Sequence, residues 1–244
     1  MPNATLDKPA IDCRDLRFRW YRRGPLVLDL PELRVERGEK IFIAGPSGSG
    51  KTTLLSLLTG VGVAETGRVS ILGQDLAALS GSRRDRFRAD HLGYIFQLFN
   101  LLPYLSLLEN VLLPCRFSRR RRLNAGGSPG ALAAEGRRLL AHLDLGDLKL
   151  RQQPVAELSV GQQQRVAAAR ALIGGPELVI ADEPTSSLDM DRREAFVKLL
   201  FNECSRQQAT LVMVSHDRSL EHLFDRSIQL GQINRVEPGI VRET

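Results

Sequence analysis

The chain has 244 residues, 43% of them hydrophobic and 25% charged, proportions that suit a globular protein with one good core or two small ones and exclude wholesale disorder. Its net charge of +6 permits contact with nucleic acid or anionic lipid, yet much of the excess lies in Arg119-Arg120-Arg121-Arg122, which has no interleaved aromatics to stack on bases. No run approaches the roughly eighteen uninterrupted apolar residues of a membrane span, since the richest stretch, Leu98 to Pro114, is broken by Asn100, Pro103, Glu109 and Asn110.

Met1 to Lys8 holds no apolar signal core, so the chain is expected in the cytosol or on the inner face of a membrane. Ile11 to Trp20 reads as a strand with an aromatic end, Phe18-Arg19-Trp20-Tyr21; a ring there can stack on a purine or serve as a hydrophobic edge. Leu26 to Val35 suggests a further strand or two and Glu36 to Glu39 a turn. Lys40 to Ala44 is then the strand that feeds Gly45-Pro46-Ser47-Gly48-Ser49-Gly50-Lys51-Thr52, and a helical pattern from Thr53 to Leu58 follows. In this strand, loop and helix N-terminus, Gly45, Gly48 and Gly50 let backbone N–H groups converge on an anionic oxygen without Cβ obstruction, and the helix adds the positive end of its dipole. Lys51 can reach terminal phosphates, and the Thr52 hydroxyl can hold a Mg²⁺ that bridges them. An ordinary glycine-rich turn explains the spacing less well, because the flanking strand and helix are the context a phosphate loop requires.

Gly67 to Gly73 reads as a strand ended by glycine, Ser80 to Ala89 as a charged helix, and Leu92 to Gln97 as a short buried strand ending in one amide. A glutamine at a strand end can hold a metal-bound water through its carbonyl oxygen; taken alone, Gln97 reads as structural. Leu98 to Leu113 is apolar but irregular, Ser118 to Gly130 a basic, solvated loop, and Ala131 to Leu145 an amphipathic helix, so the middle of the chain reads as a helical insert on an α/β core. Cys13, Cys115 and Cys204 are far apart, with no C-x-x-C pair to suggest zinc or redox work, and read as reduced thiols.

Leu158-Ser159-Val160-Gly161-Gln162-Gln163-Gln164-Arg165 opens the helix Val166 to Ile173. Serine and glycine at a helix start make either a second anion site or a simple N-cap. The apolar strand Leu178-Val179-Ile180-Ala181 then runs into two adjacent carboxylates, Asp182 and Glu183. Neighbouring strand residues point to opposite faces, so Asp182 suits a Mg²⁺ shell, through water, and Glu183 is free to polarise an attacking water. Pro184 to Asp189 is a turn with another carboxylate. After a helix from Arg192 to Arg206, the strand Thr210 to Val214 ends in Ser215-His216-Asp217, and a histidine at the C-terminal end of a parallel strand lies where α/β sheets bind ligands. There it can donate to a γ-phosphate oxygen.

In this order the motifs resemble the nucleotide-binding subunit of ABC transporters, from about Ile11 to about Leu230. Gly45–Thr52 matches the Walker A loop, Gln97 the Q-loop, Leu158–Gln162 the signature, Leu178–Glu183 Walker B, Ser187-Leu188-Asp189 the D-loop and His216 the switch histidine. The resemblance implies an α/β fold, a P-loop NTPase (RecA-like) core with an N-terminal antiparallel β subdomain and an α-helical subdomain inserted at about residues 98–160, all within one nucleotide-binding domain. It implies ATP and Mg²⁺ as cofactors. Gly45, Pro46, Ser47, Gly48, Ser49, Gly50, Lys51, Thr52 and Thr53 would hold the phosphates, Trp20 would stack on adenine, and Thr52, Gln97 and Asp182 would surround the metal. Glu183 would be the catalytic carboxylate, assisted by His216 and Gln97.

In that family two copies face each other head to tail, so Ser159, Gly161, Gln162 and Asp189 would reach the nucleotide of the other copy. With one motif set, the chain is expected to form a homodimer when ATP is bound. Val160 departs from the glycine usual at its place, which implies retained activity with a looser or slower composite site.

The stretch Tyr94 to Pro114 resembles the lipoprotein-release, macrolide-export and cell-division ATPases. This implies a separate transmembrane permease subunit docking beside Gln97–Pro114 at the cytoplasmic face of a bacterial inner membrane, for export, extraction or force transmission to the periplasm. The alternative is a cell-division-type regulator that gates a periplasmic cell-wall hydrolase through its membrane partner, without transport. The basic loop that follows is longer than usual for the branch and brings arginines near anionic lipid headgroups. Nucleic acid is the least supported partner, because soluble relatives that act on it carry two motif sets or a long coiled-coil insert.

Overall fold

Alternating apolar residues make strands of Ile11–Phe18 (β1) and Leu28–Val35 (β2), which pair antiparallel with Ile11 opposite Val35 and Phe18 opposite Leu28. The chain continues through Lys40–Ala44 (β3), Lys51–Leu58 (α1), Thr66–Ile71 (β4) and Gln74–Asp75 (β5). A computed structural model describes residues 8–147, 154–186 and 188–236 and divides them into two units, 8–84 with 214–236, and 85–213. The expected signal-free start before Lys8, and Ser187, lie outside the described residues.

In the first unit β2, β1, β4 and β5 form an antiparallel sheet in that order. Ile11, Cys13, Leu16 and Phe18 are buried, so the inward period of two slips by one residue near Arg14-Asp15. Asp15 is left-handed there (φ 48°), and the pairing of β1 with β4 shifts register between Arg14 and Arg17. Gly67 lies against this bulge at φ 85°, where a Cβ would come within 2.3 Å of the Asp15 carbonyl oxygen, so only glycine fits. The β4–β5 hairpin turns through Leu72 (φ 53°) and Gly73 (φ 82°), the two left-handed positions of a type I′ turn. The strand expected to run to Gly73 therefore ends at Ile71.

The charged stretch near Ser80 forms Gly81–His91 (α2), which has no buried side chain. It leads into the second unit through Leu92–Ile95 (β6), two residues shorter than the strand expected to reach Gln97. Next come Leu107–Leu112 (α3), Pro114–Phe117 (α4), Arg119–Asn124 (α5), Pro129–His142 (α6), Val160–Leu172 (α7), Leu178–Asp182 (β7), Met190–Gln207 (α8) and Thr210–Ser215 (β8). β6 pairs parallel with β7, Leu92 opposite Leu178, and β8 lies on the other side of β7. Its four central residues, Leu211 to Val214, are fully buried, as a parallel strand covered on both faces requires. The chain then returns to the first unit, where Arg226–Gln229 (β9) runs parallel to β3.

Two expectations for the helical region change. The irregular stretch after Leu98 ends in a true helix, α3, closed by a capping box between Ser106 and Glu109. The basic stretch from Ser118 to Gly130 is not a solvated loop, because Ser118 caps α5 and Arg121 turns inward, 3% exposed. Its Nε donates to the Ile173 carbonyl (2.7 Å), Nη1 to Leu92 (3.2 Å), and Nη2 to Ala171 (2.5 Å) and Arg170 (3.4 Å). Three of these acceptors end α7, where carbonyls have no intrahelical partner and the helix dipole is negative. Burial lowers the Arg121 pKa to about 10, so it stays charged at neutral pH. Arg120 pairs with Glu177, and Arg122 donates to the Gly127 carbonyl at 3.2 Å.

A second buried electrostatic knot joins α6 to α8. Glu203 accepts from Arg138 Nη2 at 2.7 Å and Nη1 at 3.2 Å, from Gln207 at 2.9 Å, and meets His142 Nδ1 at 3.1 Å. Burial pushes this carboxyl up, but the hydrogen bonds from Arg138, His142 and Gln207 outweigh it and hold the pKa at about 2. Cys13, Cys115 and Cys204 are buried and none is in a disulfide, and burial pushes Cys13 up to about 12. No helix among the described residues is long and apolar enough to cross a membrane.

Candidate nucleotide-binding site

The glycine-rich loop belongs to the first unit. β3 is buried from Ile41 to Ala44, where it ends just before Gly45; α1 starts at Lys51, with Gly50 as a left-handed N-cap (φ 96°) that carries no side-chain cap. The N-cap position therefore offers no side chain to the first N–H groups of α1. Lys51, 8% exposed, curls back over the loop, its Nζ donating to the carbonyls of Gly45 (2.7 Å) and Pro46 (2.8 Å). A Cβ on Gly45 would lie 2.6 Å from Ser49 Oγ, so any larger residue there would force the serine hydroxyl to move. That Ser49 oxygen is buried and has no hydrogen-bond partner among the described residues. An orphaned hydroxyl, an uncapped helix start and a buried lysine fit a phosphate group. Pro46, Ser47, Gly48 and Thr52 are exposed around them, and Thr53 is buried beneath.

Of the three aromatics at the end of β1, Phe18 is buried. Trp20, 56% exposed, stands edge-on to the Phe18 ring at 5.0 Å and leaves indole surface open, while Tyr21 is more exposed still. Arg19 pins this turn by donating to Glu65 (2.8 Å) and to the Gly24 carbonyl (3.3 Å). His216 is exposed directly after β8, in a turn tied by Asp217 N–H to Ser215 Oγ at 3.1 Å and by Ser219 N–H to Asp217 at 3.0 Å.

The remaining residues belong to the second unit. Asp182 is the last residue of β7, and Tyr94 from β6 donates to its Oδ2 at 3.5 Å; burial and then the Asp182 charge push the Tyr94 pKa up. Glu183 is not a strand residue, which corrects the reasoning from alternating faces. β7 stops at Asp182, and Glu183 takes a left-handed backbone (φ 48°), 7% exposed. Its separation from Asp182 therefore comes from a backbone turn that costs roughly 1–2 kcal/mol. Gln164 of α7 steadies that turn by donating to the Pro184 carbonyl at 2.6 Å.

Ser159 is the N-cap of α7 in a capping box. Its Oγ accepts from Gln162 N–H at 3.3 Å, and the Gln162 side chain accepts from Ser159 N–H at 2.8 Å. The Gln162 oxygen is thus engaged inside the cap. Val160, 47% exposed, is the first residue of the helix, which starts well before the expected Val166; Gly161 follows it, half-buried. Asp189 caps α8 by accepting from Arg192 N–H at 3.1 Å.

Gln97 is exposed in the turn after β6. Sequence reasoning missed what holds that turn. Asn110 of α3, fully buried, accepts from Leu102 N–H (2.8 Å) and donates to the Leu102 carbonyl (3.1 Å), and Arg170 of α7 donates to the Phe99 and Asn100 carbonyls. The one visible signal was a charge inside the apolar run Val166-Ala167-Ala168-Ala169-Arg170-Ala171-Leu172.

The family model described as ABC transporter matches residues 28–186. The chain is 44% identical over 209 residues to the "Uncharacterized ABC transporter ATP-binding protein YbbA" of Escherichia coli (strain K12), covering 85% of this chain and 88% of that one. It is 40% identical over 215 residues to the "Lipoprotein-releasing system ATP-binding protein LolD" of Xylella fastidiosa (strain Temecula1 / ATCC 700964), covering 87% and 86%. Its fold is similar, with a TM-score of 0.78 and 30% identity over 91% of this chain and 95% of the other, to the "Dimeric structure of a post-hydrolysis state of the ATP-binding cassette MJ0796 bound to ADP and Pi". The chain therefore belongs to the ABC transporter family, as a P-loop ATPase that binds and hydrolyses ATP.

Proposed function

We propose that this chain is the ATPase subunit of a transporter of the lipoprotein-release or macrolide-export type, driving a separate transmembrane protein from the cytoplasmic face of the membrane. The observation that carries the site is the phosphate cradle: the orphaned Ser49 hydroxyl, the Gly45 gap, the uncapped α1 start and buried Lys51 converge in one loop. Residues Gly45 to Thr53 hold the phosphates of ATP, and Lys51 exchanges its two loop carbonyls for phosphate oxygens. Trp20 stacks on adenine, because Phe18 is buried under it.

By the family resemblance, Thr52, Asp182, through water, and Gln97 are the residues that would hold a Mg²⁺, which would supply positive charge to phosphate oxygens. Glu183 accepts a proton from the attacking water, and His216 donates a hydrogen bond to a γ-phosphate oxygen. Two copies associate on ATP, each contributing Ser159, Gly161, Gln162 and Asp189 to the nucleotide held by the other; the dimeric MJ0796 structure supports this reading. The whole chain acts as one nucleotide-binding domain with a helical insert at about 98–160, a span within which α3 to α6 fall. Beside Gln97, the exposed side chains of Phe96, Leu98 and Tyr104 offer apolar surface to the membrane partner. Arg116 and Arg119, exposed on α4 and α5, are the residues that would meet anionic headgroups.

The experiment is affinity capture of tagged Glu183→Gln protein from detergent-solubilised membranes with ATP and Mg²⁺. Co-purification of a membrane protein with a large periplasmic domain supports the proposal, and that partner's identity separates transport from gating of a cell-wall hydrolase. Recovery of ribosomes or nucleic acid alone overturns it.

A further inference from the structure

We infer that Arg170 is a positioning residue for Gln97, latching the Gln97 turn to α7, the helix capped by Ser159. Arg170 lies in the last turn of α7 among Ala167, Ala168, Ala169, Ala171 and Leu172, all buried. Its guanidinium is buried as well, and among the described residues no carboxylate forms an ion pair with it. A buried charge of this kind is tolerated only where hydrogen bonds replace its water. Here they come from two backbone carbonyls: Nη1 donates to Asn100 at 2.6 Å, and Nη2 to Phe99.

The two carbonyls are unusual in themselves. Phe99 (φ 59°) and Asn100 (φ 49°) are consecutive non-glycine residues in the left-handed region, a conformation that persists only where the surroundings hold it. Gln97 sits two residues ahead, in a tight turn closed by Phe99 N–H to the Phe96 carbonyl (3.0 Å) and Asn100 N–H to the Leu98 carbonyl (2.6 Å). The other end of the segment is fixed to the same helix. Arg121 bridges the Leu92 carbonyl to those of Ala171 and Ile173, and β6 approaches α7 so closely that a Cβ on Gly93 would lie 2.4 Å from the Ala171 oxygen. The backbone that carries Gln97 is therefore bound to α7 on both sides, by Arg121 at its start and by Arg170 just past the turn.

An apolar side chain at position 170 would pack as well against the alanines but would free the turn. Gln97 then loses its fixed distance from the start of α7, and the site loses the alignment that turnover needs. This inference rests on the reading of Gln97 as a metal-site residue, and the test separates the two.

Purified protein and the variants Arg170→Met, Arg170→Lys, Gln97→Ala and Arg170→Met/Gln97→Ala are compared for kcat, KM for ATP, and amide hydrogen exchange. Arg170→Met is expected to lower kcat about tenfold with KM changed less than roughly twofold, and in the Gln97→Ala background to lower kcat less than roughly twofold further. Arg170→Lys, which keeps the charge and can reach one carbonyl, recovers part of the loss. Exchange at residues 98–102 rises in both Arg170 variants while α8 is unchanged. Independent, multiplying effects on kcat in the double variant, or unchanged exchange at 98–102, overturn the latch. Wild-type kcat in Gln97→Ala alone sinks the Gln97 reading and leaves the exchange result to decide whether Arg170 holds the turn. If Arg170→Met does not fold, Arg170→Lys and its Gln97→Ala double carry the same comparison.

Discussion

Replacing Arg121 with methionine removes four hydrogen bonds, to the carbonyls of Leu92, Arg170, Ala171 and Ile173, at nearly constant volume. Hydrogen bonds to a charged group are worth about 1.5–3 kcal/mol each, or on the order of 6–12 kcal/mol for the set. Burying a guanidinium returns several kcal/mol of that as lost hydration. The remainder is a net cost of about 2–4 kcal/mol for Arg121→Met, most of it from carbonyls at the end of α7 left without partners. At roughly 2–4 °C per kcal/mol for a protein of this size, the midpoint of thermal unfolding should fall by about 4–16 °C. Arg119→Met, two residues away on the exposed side of the same helix, should stay within about 0.5 kcal/mol of wild type. Thermal melts followed by circular dichroism decide between them. Equal midpoints for the two variants, or complete rescue of the loss by Arg121→Lys, whose single ammonium cannot span four carbonyls, would refute the reasoning.

Three further outcomes are expected. Glu203 has its folded pKa held near 2, below the ordinary 4.5, so its contribution is full above pH 4.5 and is lost as pH falls toward 2. The urea-midpoint advantage of wild type over Glu203→Gln should accordingly shrink between pH 6 and pH 3, and a constant advantage would contradict the ionic account of the α6–α8 knot. Gly67→Ala forces a Cβ to within 2.3 Å of a backbone oxygen at φ 85°, and should cost more than about 2 kcal/mol; an unchanged melting midpoint would mean the bulge at Asp15 is not held as described. Val160→Gly should tighten ATP-dependent self-association and raise turnover, read by sedimentation and phosphate release, because the exposed valine stands between the two residues proposed to meet the partner's nucleotide. Unchanged affinity and turnover would remove Val160 from the account.

The parts of the site legible in the sequence are those fixed by local geometry. The loop from Gly45 to Thr52 is visible because a phosphate cradle needs its glycines, lysine and following helix at set spacings, and the structure adds the orphaned Ser49 oxygen that spacing alone cannot reveal. Strands such as β3 and β7 are visible as short apolar runs ending at glycine or at a carboxylate. What was hidden depends on a distant partner. Four adjacent arginines look alike in composition, and only the carbonyl end of α7 selects Arg121 for burial. Glu183 looks like the next strand residue after Asp182 because alternation assumes the strand continues, and the left-handed turn that ends it has no glycine to announce it. In the β4–β5 hairpin Gly73 marks a strand end in the sequence, but the other left-handed position is Leu72, a residue type that announces no turn. Asn110 and Arg170 show in the sequence only as polar residues inside apolar runs, and what they hold is hidden because their acceptors are backbone atoms, which carry no residue signature.

The most direct test of the central claim measures ATP binding and phosphate release together in Glu183→Gln. ATP affinity is expected to stay close to wild type, phosphate release to fall by on the order of 10²–10⁴-fold, and dimer to accumulate on ATP, since only the proton acceptor is removed. Turnover at the wild-type rate, or loss of ATP binding with the fold intact, would contradict it.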